Sequence, residues 1–184
     1  MKLFLASTLA LALLASNFAA SAKTSDRNQE MTIDAGAQIG VITGDGVTTL
    51  SKGVVITQGT LEIRADSADI HMKGGEAVRA VFTGKQATMK QQLDDGSWMN
   101  ARADTIDYNI TTETIVLTGN YRVESPQGVN TGGTMTYNTR TGQMNSGGDG
   151  QRVRTVIPPK NKGTPPAAAT PAAKTTVPTA GSKK

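Results

Sequence analysis

The sequence predicts an all-β domain built from antiparallel strands, and three observations predict it. Apolar and polar residues alternate with a period of two through the body of the chain. Short turns that contain glycine separate the alternating runs, and one motif occurs twice. Period-two alternation is typical of strands with one buried and one solvated face, and closely spaced glycine turns are typical of antiparallel connections.

Two runs show the alternation most clearly. Residues 61–66 place Leu, Ile and Ala at odd positions and Glu, Arg and Asp at even positions. Residues 99–104 repeat the pattern with Met, Ala and Ala against Asn, Arg and Asp. Because successive side chains of a strand point to opposite faces, each run predicts one apolar face and one solvated face. The turns predicted between such runs lie at residues 43–46, 58–59, 73–75, 94–97, 118–120 and 139–142.

The repeated motif is R-A-D-[Ser/Thr]-x-D, which occurs in LEIRADSADI and again in MNARADTIDY. Its paired aspartates first suggest catalysis or metal binding. Asp66 and Asp69 differ by three positions, so on a regular strand they point to opposite faces and cannot form a carboxylate dyad by themselves. The same holds for Asp104 and Asp107. A hydrolase would therefore require Asp66 and Asp104 to converge with a nucleophile in one cleft.

The motif also marks a change of phase. Inward residues are odd-numbered before it and even-numbered after it, so the pattern slips at Asp66-Ser67 and again at Asp104-Thr105. One extra residue in a strand produces such a slip and bends the strand. A third, degenerate copy is NTGGTMTYN, with Gly132-Gly133 at the bend. We therefore interpret the motif as architectural, and it predicts stacked repeats in which each strand bends from one sheet to a second.

The predicted core is poor in aromatic residues. After residue 22 the chain contains one Phe, three Tyr and one Trp, and inward positions hold mainly Ala, Val, Ile, Leu, Met and Thr. Aromatic side chains bury the largest areas, so such a core has little with which to fill a wide space. Two interpretations remain open: two sheets packed closely on small side chains, or an aliphatic groove that stays partly open for an apolar ligand.

Both ends of the chain differ from the body. Residues 1–22 combine a short positive start, an uncharged apolar stretch and a final Ala-Ser-Ala. They predict a cleaved secretory signal peptide, with a membrane anchor as the alternative. Residues 158–184 consist mainly of Pro, Ala, Thr and Lys and are predicted to be disordered. The folded domain is therefore predicted at residues 23–157, and without cysteine it has no disulfide or thiolate chemistry.

The positive net charge of the chain comes from the tail. Seven Lys or Arg residues follow residue 151 without any acid. Between residues 23 and 151, eleven Lys or Arg residues face fifteen Asp or Glu residues, a net charge of −4. The predicted folded body is thus mildly acidic, and the overall basic balance does not indicate nucleic-acid binding.

Strand-like runs also occur near both ends of the predicted domain, at residues 30–34 and 153–157. A repeat that does not close on itself leaves its first and last strands unpaired, and such edges pair with partners or with other copies. Protection against unwanted pairing is a second interpretation of the charged residues there. The predicted partner-binding edge residues are Met31, Ile33, Val153, Thr155 and Ile157.

No catalytic, metal or cofactor motif occurs in the sequence. The single histidine is His71, there is no cysteine, and the nucleophile elbow, the P-loop and the dinucleotide fingerprint are absent. Asp94-Asp95-Gly96 lacks the spaced ligands and distal Glu of a calcium loop and predicts a hairpin turn instead. We therefore expect a protein that is not an enzyme and that needs neither a cofactor nor a metal.

Six segments, taken together and in order, resemble the OstA-like periplasmic lipopolysaccharide-transport proteins. The segment GVVITQGTLEIRAD resembles the family core G-x-V-x-V-x-Q-G-x-x-I-x-A-D, and it is followed by FTGKQATM, ADTIDYN, IVLTGN, TMTYN and QRVRTVIPP. These segments cover the body of the chain from about residue 29 to residue 159. The resemblance implies a slightly open, twisted antiparallel β-jelly roll of stacked strand repeats, whose copies stack head to tail.

The resemblance also implies a function. Family members hold lipopolysaccharide by its acyl chains in an apolar interior and pass it from an inner-membrane transport complex to the outer-membrane translocon. The N-terminal edge would meet an anchored inner-membrane component, and the C-terminal edge would meet the outer-membrane component or another copy. The alternative is a periplasmic structural or adaptor module that polymerises by its edges and carries nothing. The implied lipid-binding residues are the inward apolar positions Ile33, Ile56, Leu61, Ile63, Phe82, Met89, Ile106, Tyr108, Ile110 and Leu117.

Overall fold

A computed structural model describes residues 25–41 and 43–159. Within them, nine strands form one sheet in which every pairing is antiparallel and neighbouring strands follow chain order from β1 to β8. A short 3₁₀ helix, Asp26–Asn28, precedes them. The strands are β1 Met31–Gly40, β2 Gly46–Gln58, β3 Leu61–Lys73, β4 Glu76–Gln92, β5 Trp98–Asn109, β6 Thr114–Ser125, β7 Gly128–Asn138, β8 Met144–Ser146 and β9 Arg154–Val156.

Register shifts in the strand pairing lie side by side across the sheet, near the middle of each long strand. The pairing register shifts once at this level between every two neighbours from β1 to β7. The shifts at Arg64/Ser67 and Arg102/Thr105 confirm the two slips predicted from the motif. In β7, Gly133 is the residue left out of the pairing, which confirms the predicted third bend. Stacked bulges bend the sheet along a line and divide it into two parts.

We call these two parts the lower arm and the upper arm. The lower arm comprises residues 31–35, 54–65, 87–103, 121–132 and 154–156. The upper arm comprises residues 37–40, 46–51, 67–83, 105–118 and 134–146. Buried apolar side chains of both arms belong to one core cluster. The arms therefore face each other, which confirms an all-β, antiparallel and open architecture.

The repeated aspartates hold the bends together. The Asp66 carboxylate accepts a hydrogen bond from the backbone N–H of Lys85 at 3.1 Å, and it lies against Gly84 in the bulge of β4. The Asp104 carboxylate accepts a hydrogen bond from the Asn120 side-chain amide at 3.0 Å, in the bulge of β6. Asp66 thus satisfies a backbone group that a bulge removes from the strand ladder, and Asp104 binds the side chain of a bulge residue, so the role of both is structural.

The predicted end segments fall largely outside this description. The predicted signal peptide, residues 1–22, lies outside the described residues, as does the predicted tail of residues 158–184 except for its first two prolines. These boundaries, and that of the domain at residues 23–157, stay predictions. No helix in the part of the chain that the structure describes is long and apolar enough to cross a membrane.

Candidate functional site

The space between the arms is the candidate site, and most of the predicted lipid-binding residues lie there. Ile110 is half-buried and packs against the core cluster, whereas Ile33 is 40% exposed on β1. The other predicted residues are buried members of the cluster, and Phe82 and Ile63 are fully buried. These buried residues are Ile56, Leu61, Ile63, Phe82, Met89, Ile106, Tyr108 and Leu117. Of the two interpretations left open by composition, close packing of the arms describes this structure.

A row of half-buried apolar residues marks the side of the core opposite the bends. These residues lie near strand ends and pack against the core cluster. They form an apolar seam between the arms, made of Met31 in the lower arm and Met72, Ala77 and Ile110 at the rim of the upper arm. The predicted lipid-binding residues omit Met72, because alternation in the sequence shows which face a residue occupies but not how near it lies to a rim. They omit Ala77 because a second register shift, between His71 and Met72, changes the parity of β4 before Arg79.

The arms also part at the C-terminal end of the sheet. A cleft of about 190 Å³ opens there, lined by Leu93, Val123 and Thr155 of the lower-arm side and by Met144 of the upper arm. Mobile, polarisable methionine side chains suit irregular apolar ligands. The cleft connects the edge of the sheet to buried core residues, so an apolar chain has a way into the interior at this end.

The 3₁₀ helix packs on the lower end of the core at the turn between β2 and β3. Asp26 is only 4% exposed and lies against Gly59 in the turn between β2 and β3. Its carboxylate accepts hydrogen bonds from the Thr60 hydroxyl and from the Gln91 side-chain amide. Sequence reasoning missed this residue, because Asp26 precedes the first strand-like run and nothing local indicates its distant partners.

Most of the large apolar side chains that are exposed lie at the two ends of the sheet. β1 pairs only with β2, and β7 is covered by β8 over the upper arm and by β9 over the lower arm. Apart from Trp98, the exposed large apolar residues of the described chain all lie at these ends: Ile33, Ile39, Val41, Val47, Met144, Val153, Val156 and Ile157. The predicted edge segments thus coincide with the ends of the sheet, and their binding of partners stays a prediction.

A hydrogen-bonded chain of side chains attaches β9 to the core. The hydroxyl of buried Tyr121 donates to Oδ1 of Asn130 at 2.5 Å, and the Asn130 amide donates to Oγ1 of Thr155 at 2.8 Å. Thr155, one of the predicted edge residues, is therefore fixed in place although its strand has only three residues. The C-terminal edge is a defined surface for that reason.

The outward faces of the described strands carry ion pairs. The hydrogen bond from Arg64 lowers the pKa of Glu62 below its ordinary value, and Asp107 raises the pKa of Arg79 above its ordinary value. Asp66 and Asp104 lie on strands separated by β4, about 10 Å apart by strand spacing. Each engages a different bulge, so they do not converge as a hydrolase would require. No group of three or more metal-ligating residues occurs within the described ranges.

Comparison with known proteins decides the family. A family model described as "LptA/(LptD N-terminal domain) LPS transport protein" matches residues 29–143, which is most of the described sheet. The chain belongs to this family. Membership confirms the resemblance found in the sequence and the class of lipopolysaccharide transport that it implied.

Individual members of the family extend the likeness to nearly the whole chain. The lipopolysaccharide export system protein LptA of Escherichia coli K12 is 34% identical over 175 residues, covering 90% of this chain and 94% of that protein. LptA of Haemophilus influenzae is 32% identical over 117 residues, covering 61% of this chain and 68% of that protein.

A solved structure supports the fold. The crystal structure of LptH, the LptA-homologous periplasmic component of the lipopolysaccharide transport device of Pseudomonas aeruginosa, superposes with a TM-score of 0.65 at 25% identity. The likeness covers 73% of this chain and 99% of that one. The predicted open β-jelly roll is therefore confirmed.

Proposed function

We propose that this chain is a periplasmic carrier that holds lipopolysaccharide by its acyl chains between the two arms. It receives the lipid from an inner-membrane transport complex and passes it to the outer-membrane translocon, without catalysing a reaction. The observation that carries the proposal is one apolar interior that runs through the whole sheet, bordered by the apolar seam and open at the C-terminal cleft. Its family relatives are named for lipopolysaccharide export, and LptH is a periplasmic component.

Acyl chains would enter by parting the arms along the apolar seam. Burying hydrocarbon contributes roughly 0.8 kcal/mol per CH₂ group, so a lipid tail gains strongly by leaving water. The arms pack on each other in this structure, and the seam residues combine partial exposure with contact to the core on the side away from the bends. The seam is thus where a tail meets the interior first, and the fully buried residues would contact it only after the arms separate.

Photo-crosslinking at the seam and the cleft tests this proposal. A photoreactive amino acid at Ile110 or at Met144 should crosslink to lipopolysaccharide, because both positions border the interior. The matched control is Val81, which is half-buried in the upper arm but alternates with inward Ala80 and Phe82 and so faces outward. Equal crosslinking at Val81 and Ile110 would contradict an interior site.

A charge in the seam should weaken lipid binding while the fold persists. Replacing Ile110 with aspartate should raise the dissociation constant for lipopolysaccharide about tenfold, because a buried aliphatic contact of roughly 1.5 kcal/mol is lost. The half-buried position lets the carboxylate reach water, so the thermal midpoint should fall little. Val81→Asp serves as the control and should leave the affinity unchanged. An Ile110→Asp variant that binds lipopolysaccharide normally would contradict the seam as the point of contact, whereas an unaltered protein that binds none would favour the alternative of an adaptor that carries nothing.

Copies would stack head to tail by continuing the sheet from β8 and β9 of one copy to β1 of the next. We take the register between copies from the pairing within the sheet, where Asp34 and Arg154 lie in one unbroken row that crosses every strand of the lower arm. Continuing that row places Arg154 of one copy opposite Asp34 of the next. Since β9 runs antiparallel to β7, the added β1 would extend the antiparallel order.

Charge reversal tests the register. Asp34→Arg or Arg154→Asp alone should weaken self-association up to about tenfold, because opposite charges facing each other on adjacent strands become like charges. The double variant should restore association, since it only exchanges the two charges. Sedimentation velocity over a concentration series measures the effect. Single variants that associate normally, or a double variant that stays dissociated, would contradict this register.

The two ends would also serve the neighbouring machinery. The N-terminal edge at Met31 and Ile33 would pair with an anchored inner-membrane component, and the C-terminal edge at Val153, Thr155 and Ile157 with an outer-membrane component. Both edges expose apolar side chains beside unpaired backbone, which is the surface that strand addition requires. Export by residues 1–22 would place the chain in the periplasm, and the N-terminal sequence of the mature protein checks that cleavage.

A further inference from the structure

The outer face of the lower arm carries a groove on the side of the sheet away from the core. It has a volume of about 480 Å³. An adjacent groove of about 270 Å³ shares Arg122 with it and extends to Arg154 on β9. The polar side chains that line the larger groove come from β3, β4, β5 and β6, and they are Glu62, Thr88, Lys90, Asn100, Arg102, Arg122 and Glu124.

One row of paired residues makes this face basic. Each member of the row lies directly opposite the next on the neighbouring strand, and four of the six members are arginines. Strand spacing of roughly 5 Å places the backbones of neighbouring members at that distance. From β3 to β7 and then β9, the row reads Arg64, Thr88, Arg102, Arg122, Thr131 and Arg154.

At the centre of the row, Arg102 and Arg122 face each other with like charges. Of the acidic residues of the groove, Glu62 pairs with Arg64 and Lys90, and Glu124 pairs with Arg122 itself. Arg102 forms no ion pair with any residue in the described ranges. Like charges directly opposite on adjacent strands are destabilising. Glu124 offsets the charge of Arg122, whereas an anion bound beside Arg102 would supply the counter-charge that the described residues do not give it.

We propose that the groove binds a phosphate group between Arg102 and Arg122. Guanidinium groups donate paired N–H bonds that match the geometry of phosphate oxygens. Thr88 and Asn100 lie beside the two arginines and supply further donors. Trp98, exposed on the same face by its even position in β5, offers a flat apolar surface to the rest of a phosphorylated molecule. The site takes a phosphomonoester or diphosphate, either on a lipid headgroup or free in solution.

Titration of the full chain with inorganic pyrophosphate tests the site. Calorimetry should show saturable binding, and the Nε–H resonances of Arg102 and Arg122 should shift. Arg102→Gln should weaken binding about tenfold, as expected for the loss of a charge-assisted hydrogen bond. Arg79→Gln is the matched control, because Arg79 is also an outward arginine but lies in the upper arm and pairs with Asp107. It should bind pyrophosphate like the unaltered protein.

Thermal stability without ligand separates binding from a structural role. Arg102→Gln should melt no lower than the unaltered protein, because it removes the like-charge pair. Pyrophosphate should raise the midpoint of the unaltered protein and not that of Arg102→Gln. An Arg102→Gln variant that melts lower and still binds pyrophosphate would overturn the proposal, since the arginine would then only support the fold.

A second probe distinguishes the sources of the phosphate. Vesicles of phosphatidylcholine with phosphatidic acid are compared with vesicles of phosphatidylcholine alone. Binding to the phosphatidic-acid vesicles and not to phosphatidylcholine alone, lost in Arg102→Gln, supports the site and assigns it to a lipid headgroup, whereas pyrophosphate binding without vesicle binding assigns it to a free phosphate. Binding of neither probe, or equal weakening by Arg79→Gln, overturns it. Arg102 is distant from both edges of the sheet, so these outcomes leave the tests of the proposed function unaffected.

Discussion

Replacing Phe82 with alanine is expected to lower the free energy of unfolding by about 3–5 kcal/mol. Phe82 is fully buried at the centre of the upper arm, opposite Ala68 and Ile106 on the flanking strands. Truncation in a packed interior leaves a cavity that its surroundings fill only partly, and this adds to the lost burial. Since domains of this size are stable by about 5–15 kcal/mol, the urea midpoint should fall substantially.

The conservative variant Phe82→Leu is the control and should cost less than about 1.5 kcal/mol, because it nearly conserves the apolar volume. The comparison also decides the state of the interior in solution. If the arms already stood apart around an open trough, truncation would create no new cavity. A cost of less than about 1.5 kcal/mol for Phe82→Ala would therefore contradict the packed interior and indicate arms that separate without lipid.

Replacing Gly119 with alanine is expected to have the second large effect, about 2–5 kcal/mol. Gly119 adopts a φ of +80° in the bulge of β6, and an added Cβ would lie 2.4 Å from Oδ2 of Asp104. The left-handed backbone costs a residue with a side chain about 1–2 kcal/mol. The clash adds about 1–3 kcal/mol, because Asp104 must leave its bond to Asn120 or the bulge must shift.

The bend stack provides a matched control for this change. Gly53 has nearly the same φ, +81°, and open space where its Cβ would lie. Gly53→Ala should therefore cost only the backbone part, about 1–2 kcal/mol. Adding Asp104→Ala to Gly119→Ala should recover the clash part in a double-mutant cycle. Equal costs for Gly119→Ala and Gly53→Ala would contradict the contact between the aspartate and the bulge. Chemical denaturation measures all four variants.

The bends were predictable from the sequence because they change which residues face inward. A strand that continues straight keeps its parity, so the slips at Asp66-Ser67 and Asp104-Thr105 could only mean an inserted residue. The structure adds why an aspartate stands there, since its carboxylate binds the bulge of the next strand. That contact joins residues 16 to 19 positions apart, and a local pattern does not contain it.

The depth at which each side chain is buried, and the strands that pair with each other, were not predictable in the same way. Ile33 has the parity of an inward residue, but it is exposed because its strand has no neighbour on one side. Alternation likewise could not separate a packed interior from an open one, since both place the same side chains inward. β8 and β9 have three residues each, too few to show a period, and their pairing with β7 depends on contacts such as Asn130 with Thr155.

The two ends of the sheet are unlike, since one is an unbroken ten-residue strand and the other is two three-residue strands with a loop between them. Contact between unlike surfaces has no two-fold axis and, without a closing rotation, forms an open filament. The proposed filament would have a polarity, so its two tips would present different surfaces to the two membranes. No internal symmetry would then limit the number of copies, and the width of the gap between the membranes would set it.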